Sequence, residues 1–241
     1  MFVGVDVASD RLHWVAVDEG LRVTDAGLVH ASETELLVGA LRGAAVVAID
    51  APAAPSVLPH ELDSDLAPKF RLARCAEVAL GREHGIWVPW AAPAAAPERG
   101  WMAVGLELFA RLAEAGVRAV EVYPYACFRL LAGAVRLPRK QTVAGVRARI
   151  DLLTAAGAAA PHIAVWTHDG LDALVAAITA QGVHAGTAVE ITCGHDGSAI
   201  WVPGDSGRHR RRTDGVPSAR EGAPLRRPRA PGPRGSRARP T

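Results

Sequence analysis

At 241 residues and 49% hydrophobic content, the chain can bury a sizeable core in one large domain or two small ones. No stretch reaches the roughly 18 uncharged apolar residues of a membrane span, and the opening MFVGVDVASD lacks the basic start of a signal peptide. Three cysteines, Cys75, Cys127 and Cys193, are widely spaced, odd in number and without a CxxC pair. That argues against a disulfide framework or a cysteine zinc centre and fits a reducing cytoplasm.

The net charge of +2 hides an uneven distribution. From Arg208 to Thr241, eleven arginines against Asp214 and Glu221 give about +9, which leaves residues 1–207 near −7. The Arg/Pro/Gly stretch 204–241 has almost no apolar residues and no periodicity, so it is expected to be a disordered basic tail. It reads mainly as a solvated tail, although its charge would add non-specific contacts to nucleic acid.

Phe2 to Val7 is an apolar, β-branched run without alternation, the pattern of a buried central strand. Leu12 to Val17 and Leu21 to Val29 read as two more strands, the first pair joined by the polar Ala8-Ser9-Asp10-Arg11 turn. Ser32, with Glu35 three residues on, has the spacing of a capping box and predicts a helix ending near Gly43. Val46 to Ile49 is a second buried strand that ends in Asp50-Ala51-Pro52. The chain therefore opens β-β-β-α-β.

Residues 53–116 show no clear strand. They read as an insertion covering one sheet edge, with helices at Arg71 to Leu80 and Trp101 to Ala115 around a Trp/Pro/Ala-rich loop. Val117 to Tyr123 reads as a strand, Thr142 to Ala156 and Asp169 to Ala180 as amphipathic helices. Thr187 to Thr192 and Ser198 to Val202 read as a closing hairpin around His195-Asp196-Gly197.

Asp6 stands in a run of otherwise apolar residues, where an unpaired buried carboxylate costs several kcal/mol. At the C-terminal end of a central strand it can face the crevice where α/β sheets bind ligands. Asp50 repeats the pattern. If the two strands are neighbours, two anions share one sheet edge, and a bound cation is the usual remedy. The competing reading is that each Asp caps a turn. Asp169 and Asp172, at i and i+3, share a helical face and flank the stripe of Leu171, Leu174, Val175 and Ile178. As first-turn acids they also favour the helix dipole, with Thr167 as N-cap. Glu121, between Val120 and Val122, points either to solvent or into the site, and Glu77 reads as the partner of a nearby arginine.

Lys69 and Lys140 are the only lysines. Arg71, Arg74 and Lys140 are candidates for holding phosphate, with Arg82 nearby, and a helix start after Lys140 adds backbone donors. Tyr123, Tyr125, Trp87 and Trp90 can stack on bases but more often pack a core. Cys193-Gly194-His195-Asp196 reads as a turn rather than a metal cluster, and neither a P-loop nor GxSxG occurs.

The runs VGVDVA, AIDAP, RLARCAEVALG with GIWVP, VEVYPYACFRLLAG, RLPRKQTVAGVRARIDLL and HDGLDALVAA resemble, over about residues 2–203, the family catalogued as domain of unknown function 429, whose members are predicted RNase H-like nucleases. The resemblance implies an RNase H-like mixed α/β sheet over 1–203. It also implies a two-metal phosphodiester hydrolase with Asp6 on the first strand, Asp50 at the end of the fourth, and Asp169 or Asp172 on a late helix. Two Mg²⁺ (or Mn²⁺) ions would be held by Asp6, Asp50 and Asp169, and the partner would be DNA or RNA. His168-Asp169 with Asp172 is similar to the helix motif of Holliday-junction resolvases. Asp50 departs from the pattern, since that position is often Glu. The alternatives are ATP-dependent phosphotransfer on an actin-like variant, for which DVASDRL is a poor phosphate hairpin, and a non-catalytic nucleic-acid-binding module.

Overall fold

The computed structural model describes residues 1–163 and 166–204. The basic tail expected over 204–241 lies, from residue 205 onward, outside the described residues.

Three strands form the opening meander, β1 (Phe2–Val7), β2 (Arg11–Val17) and β3 (Val23–His30). A short 3-10 turn leads into α1 (Thr34–Leu41), then β4 (Val46–Asp50). Next come α2 (Cys75–His84), α3 (Trp101–Glu114), β5 (Ala119–Glu121), α4 (Pro124–Ala132), α5 (Val143–Ala155) and α6 (His168–Ala185). The hairpin β6 (Val189–Ile191) and β7 (Ile200–Val202) closes the fold. The result is a mixed α/β fold around a five-stranded sheet ordered β3-β2-β1-β4-β5. β1 pairs antiparallel with β2 and parallel with β4, and β4 pairs parallel with β5.

Alternation along the buried strands sorts side chains to two faces. Val3, Val5, Val47 and Ile49 pack with Leu37 and Leu41 of α1 and Leu108 and Leu112 of α3. Phe2, Val46, Ala48 and Val120 pack on the other face with α6, α4 and α5 through residues such as Leu171, Phe128 and Leu153. The inserted region thus supplies α3 to a sheet face, rather than only covering an edge. Burying both faces explains the continuous apolar runs of β1 and β4.

Three local expectations are corrected. The capping box before α1 is built by His30 and Glu33, which cap the 3-10 turn, and not by Ser32 and Glu35. The first insertion helix begins at Cys75, not Arg71, because residues up to Arg74 are spent on a turn and on the cap itself. The strand expected to reach Tyr123 stops at Glu121, and α4 starts with Pro124 in the first turn, where proline's fixed φ and missing N–H are harmless.

Helix α6 is buried on every side from Leu171 to Ala180. It docks on β1 through small residues and not through a leucine stripe alone. A Cβ at Gly4 would lie 2.0 Å from the Ala173 carbonyl oxygen and 2.3 Å from the Ala177 nitrogen. Only glycine at this point lets helix and strand backbones meet so closely. That close approach sets the start of α6 beside the end of β1.

Candidate metal centre at the strand ends

Asp6 and Asp50 are register partners across the parallel β1–β4 pair. Partners in register point to the same face, here the one shared with Phe2, Gly4 and Ala48 and covered by α6. Asp6 is buried and Asp50 half-buried. On the other side of β1, the antiparallel register puts His13 of β2 opposite Asp6. Asp6, His13 and Asp169 each offer a ligand atom, all within 4.8 Å of one another.

The N-terminus of α6 brings in the remaining acids. Thr167 caps it, its hydroxyl accepting from the Gly170 amide at 3.4 Å. His168 Nδ1 lies against Asp169 Oδ1, the two side chains being adjacent at the helix start. Asp172 is buried and accepts a 2.7 Å hydrogen bond from Lys140 Nζ. The loop carrying Lys140 is held from within: Arg149 donates to the carbonyls of Pro138 and Gly145, and Thr142 caps α5 through the Gly145 amide.

The electrostatics follow from packing several anions into a dry crevice. Burial pushes the Asp6 carboxyl up to about 7, and Asp172 and Asp169 add to the effect. Asp50 is raised well above the usual carboxylate range by burial first, then by Asp6 and Asp172. Asp172 is also raised, because burial outweighs the opposing pull of Lys140. Burial works against the Lys140 charge, yet its acidic neighbours hold its affinity for the proton above the ordinary value. His13 is lowered by burial, which favours the neutral imidazole that a metal requires. A cation would relieve the repulsion among these acids.

The fold brings together Asp6, Asp50, Asp169, Asp172 and Lys140, and leaves the other named residues elsewhere. Glu121 is paired in register with Ile49, so alternation turns it to the face opposite Asp6 and Asp50. There it joins a buried ion triad. Arg74 contacts Glu121 Oε1 at 2.6 Å and Glu77 Oε1 at 2.8 Å, and all three side chains are almost fully enclosed. Arg74 is therefore corrected from a phosphate-holding candidate to an internal brace. Its guanidinium is taken up by two carboxylates and the Ala54 carbonyl, and the side chain is buried. Glu121 also accepts from the Ala53 amide at 2.8 Å, so the triad secures the segment that leaves Asp50. Arg71 donates to the carbonyls of Leu66 and Ser64, so its guanidinium closes its own loop. Trp90 packs edge-on against Trp101 and Tyr123, and Trp87 stacks on Phe70. Arg82 pairs with Asp63.

Two features had not been legible. His13 sits in a strand pattern indistinguishable from a surface position, and only the register with Asp6 identifies it. The second is a Cys75–Cys193 disulfide, where the spacing and odd number of cysteines argued against a disulfide framework. The cysteines, 118 positions apart in sequence, are brought together by the fold, because the β6–β7 hairpin lies on the start of α2.

The sequence profile described as "Protein of unknown function (DUF429)" matches residues 4–195. The chain belongs to this family. No curated protein and no solved structure matches it. The match to DUF429 takes in every residue of the strand-end site and both cysteines of the disulfide. Among the described residues, no helix is long and apolar enough to cross a membrane.

Proposed function

We propose that this DUF429 protein is an RNase H-like, metal-dependent hydrolase of phosphodiester bonds in nucleic acid. The observation that carries the reading is the convergence of Asp6, His13 and Asp169 within 4.8 Å, with Asp50 in register beside Asp6. Support for the fold assignment comes from the strand order β3-β2-β1-β4-β5, with an antiparallel meander feeding two parallel strands and acids at the C-terminal ends of β1 and β4.

The donor set fits a divalent cation. Two carboxylates and an imidazole suit Mn²⁺ at least as well as Mg²⁺, since imidazole is a better ligand for the later metal. His13 Nδ1 is buried and has no hydrogen-bond partner among the described residues, which is consistent with a ring poised for an external ligand. Asp6, His13 and Asp169 would hold the first ion. The two-ion arrangement asks more, because Lys140 already neutralises Asp172 at 2.7 Å. A second ion would draw on Asp50 and Asp172, and it would have to compete with the Lys140 ammonium for Asp172.

When bound, such an ion polarises a phosphoryl oxygen and lowers the pKa of a water. The protein's own groups divide the remaining work. Asp6, His13 and Asp169 would hold the ion, with His168 next to the Asp169 carboxylate. Asp50, whose carboxyl burial and the neighbouring Asp6 and Asp172 raise well above the usual carboxylate range, stands beside Asp6 at the crevice. Lys140 stands beside the acids as a mobile positive charge that can pass from Asp172 to a substrate phosphate.

The test is incubation of the purified chain with end-labelled single- and double-stranded DNA and RNA, with Mn²⁺, Mg²⁺ or chelator. Metal-dependent cleavage lost in Asp6→Asn and Asp169→Asn is the expected result. Absence of cleavage on every substrate, or cleavage unchanged in both variants, removes the assignment. Thermal stabilisation by ATP, which Asp6→Asn abolishes, would instead move the site to phosphotransfer.

A further inference from the structure

A second cluster of ligating side chains lies away from the aspartates, where the β6–β7 hairpin meets the start of α2. His60, Cys75 and Cys193 each offer a ligand atom within 4.8 Å of the others. His60 Nε2 lies 3.7 Å from Cys193 Sγ, and His195 Nδ1 lies 3.7 Å from the same sulfur. A disulfide needs only its two sulfurs. Two imidazoles aimed at one of them are an additional arrangement, and two sulfurs with two ring nitrogens are the donors of a tetrahedral zinc centre.

The surroundings of these four residues match that use. His60 is buried. Its other nitrogen, Nδ1, faces Asp63 Oδ2 at 3.9 Å, and Asp63 is fixed in turn by Arg82 at 2.9 Å. A carboxylate behind a ligating imidazole sets the ring's orientation and raises its basicity. Cys75 is the first residue of the ten-residue helix α2, where the helix dipole favours a thiolate. The hairpin is pinned to that helix start independently of the sulfurs: Asp196 Oδ2 accepts from the Cys75 amide at 2.9 Å and Ser198 Oγ from the Ala76 amide at 3.0 Å. The donors therefore stay together when the sulfur–sulfur bond is open.

We propose that Cys75, Cys193 and His60 hold a soft divalent cation of the Zn²⁺ type when the Cys75–Cys193 disulfide is reduced, with the exposed His195, 3.7 Å from Cys193 Sγ, moving in as the fourth ligand. The disulfide and the metal centre are mutually exclusive, since only thiolates ligate. A dithiol reduces the bond: its two thiols close into their own disulfide, and two electrons and two protons pass to the sulfurs of Cys75 and Cys193. The cation then displaces those two protons. The hairpin is thereby tied to α2 in both redox states, by a covalent bond in one and by a metal in the other. This site is independent of the aspartate centre and stands or falls separately from it.

The test uses the full chain, reduced with excess dithiothreitol, desalted without oxygen and titrated with Co²⁺ and then Zn²⁺. The expected signature is a thiolate-to-cobalt charge-transfer band with the intense visible absorption of a tetrahedral ion, bleached by stoichiometric Zn²⁺. It is absent from the oxidised protein and from Cys75→Ser/Cys193→Ser, and it persists in Asp6→Asn/Asp169→Asn. His60→Ala, which keeps both thiols, weakens Zn²⁺ binding by at least about tenfold. Should the serine variant lose its circular dichroism, His60→Ala decides the matter alone. No charge-transfer band in the reduced wild type, an unchanged band in the serine variant, unchanged Zn²⁺ affinity in His60→Ala, or loss of the band in the aspartate variant each overturns the proposal.

Discussion

Asp6 and Asp50 stand side by side in parallel register, at the ends of the two central strands and on the face covered by α6. Neither strand alone requires this. It arises because β1 pairs with β4 rather than with another strand, so each carboxyl becomes part of the other's environment. The acids, His13 and Lys140 then behave as one electrostatic unit.

The first consequence is an unusual pH dependence of stability. Asp6 titrates near 7 in the folded chain against 3.8 for the free group, so the native state binds its proton more tightly than the unfolded state. That contribution is fully present below pH ~4 and is lost as pH rises through ~7, on the order of 4 kcal/mol at about 1.4 kcal/mol per unit. Thermal melts in chelator should show stability falling between pH 5 and pH 8 (values about those of the Asp6 transition). Asp6→Asn should flatten the profile, and saturating Mn²⁺ should reverse it. A wild-type profile that rises across the interval would count against the buried, protonated Asp6.

Lys140→Met removes the partner of buried Asp172. Because the lysine side chain is itself 38% exposed, solvent already screens the pair, and the expected loss is about 1–2 kcal/mol at pH 8, below that of a fully buried pair. Urea denaturation measures it. The same variant frees Asp172 for a cation, so calorimetric titration with Mn²⁺ should show a second binding event that the wild type lacks or shows more weakly.

Gly4→Ala places a methyl group against the backbone of Ala173 and Ala177, atoms that cannot rotate away. Helix α6 must lift from β1, costing at least about 2 kcal/mol by overpacking. Since Asp169 and Asp172 ride on the same helix, the variant should also bind Mn²⁺ more weakly. Normal affinity in a folded Gly4→Ala protein would show that α6 docking does not set the site.

Glu121→Gln distinguishes a brace from a ligand. The change leaves Arg74 with only one carboxylate in a buried triad and should cost about 2–4 kcal/mol in chemical denaturation. With Glu121 on the opposite face, Mn²⁺ affinity of the folded variant should change little. A large fall in affinity without loss of stability would place Glu121 among the ligands instead.

What the sequence determined by itself was local. Apolar runs in β1 and β4 marked buried central strands, and an Asp at the end of each was conspicuous because burial in such a run is costly. Thr167 caps α6 as the sequence suggested, since a hydroxyl reaching an amide three residues on is a short-range event, whereas Thr142, read as the first residue of its helix, caps α5 instead. Strand pairing decided the rest. The register with Asp6 turned His13 into a candidate ligand. The pleat of β5 sent Glu121 to Arg74 rather than to Asp50. On α6 both acids found uses: Asp169 joined Asp6 and His13, and Asp172 met Lys140. Cys75 and Cys193 were joined only by the hairpin folding back on α2. Periodicity in a sequence tells which residues share a face of one element. Which faces meet is set by contacts between distant segments, and there the choice belongs to the tertiary structure.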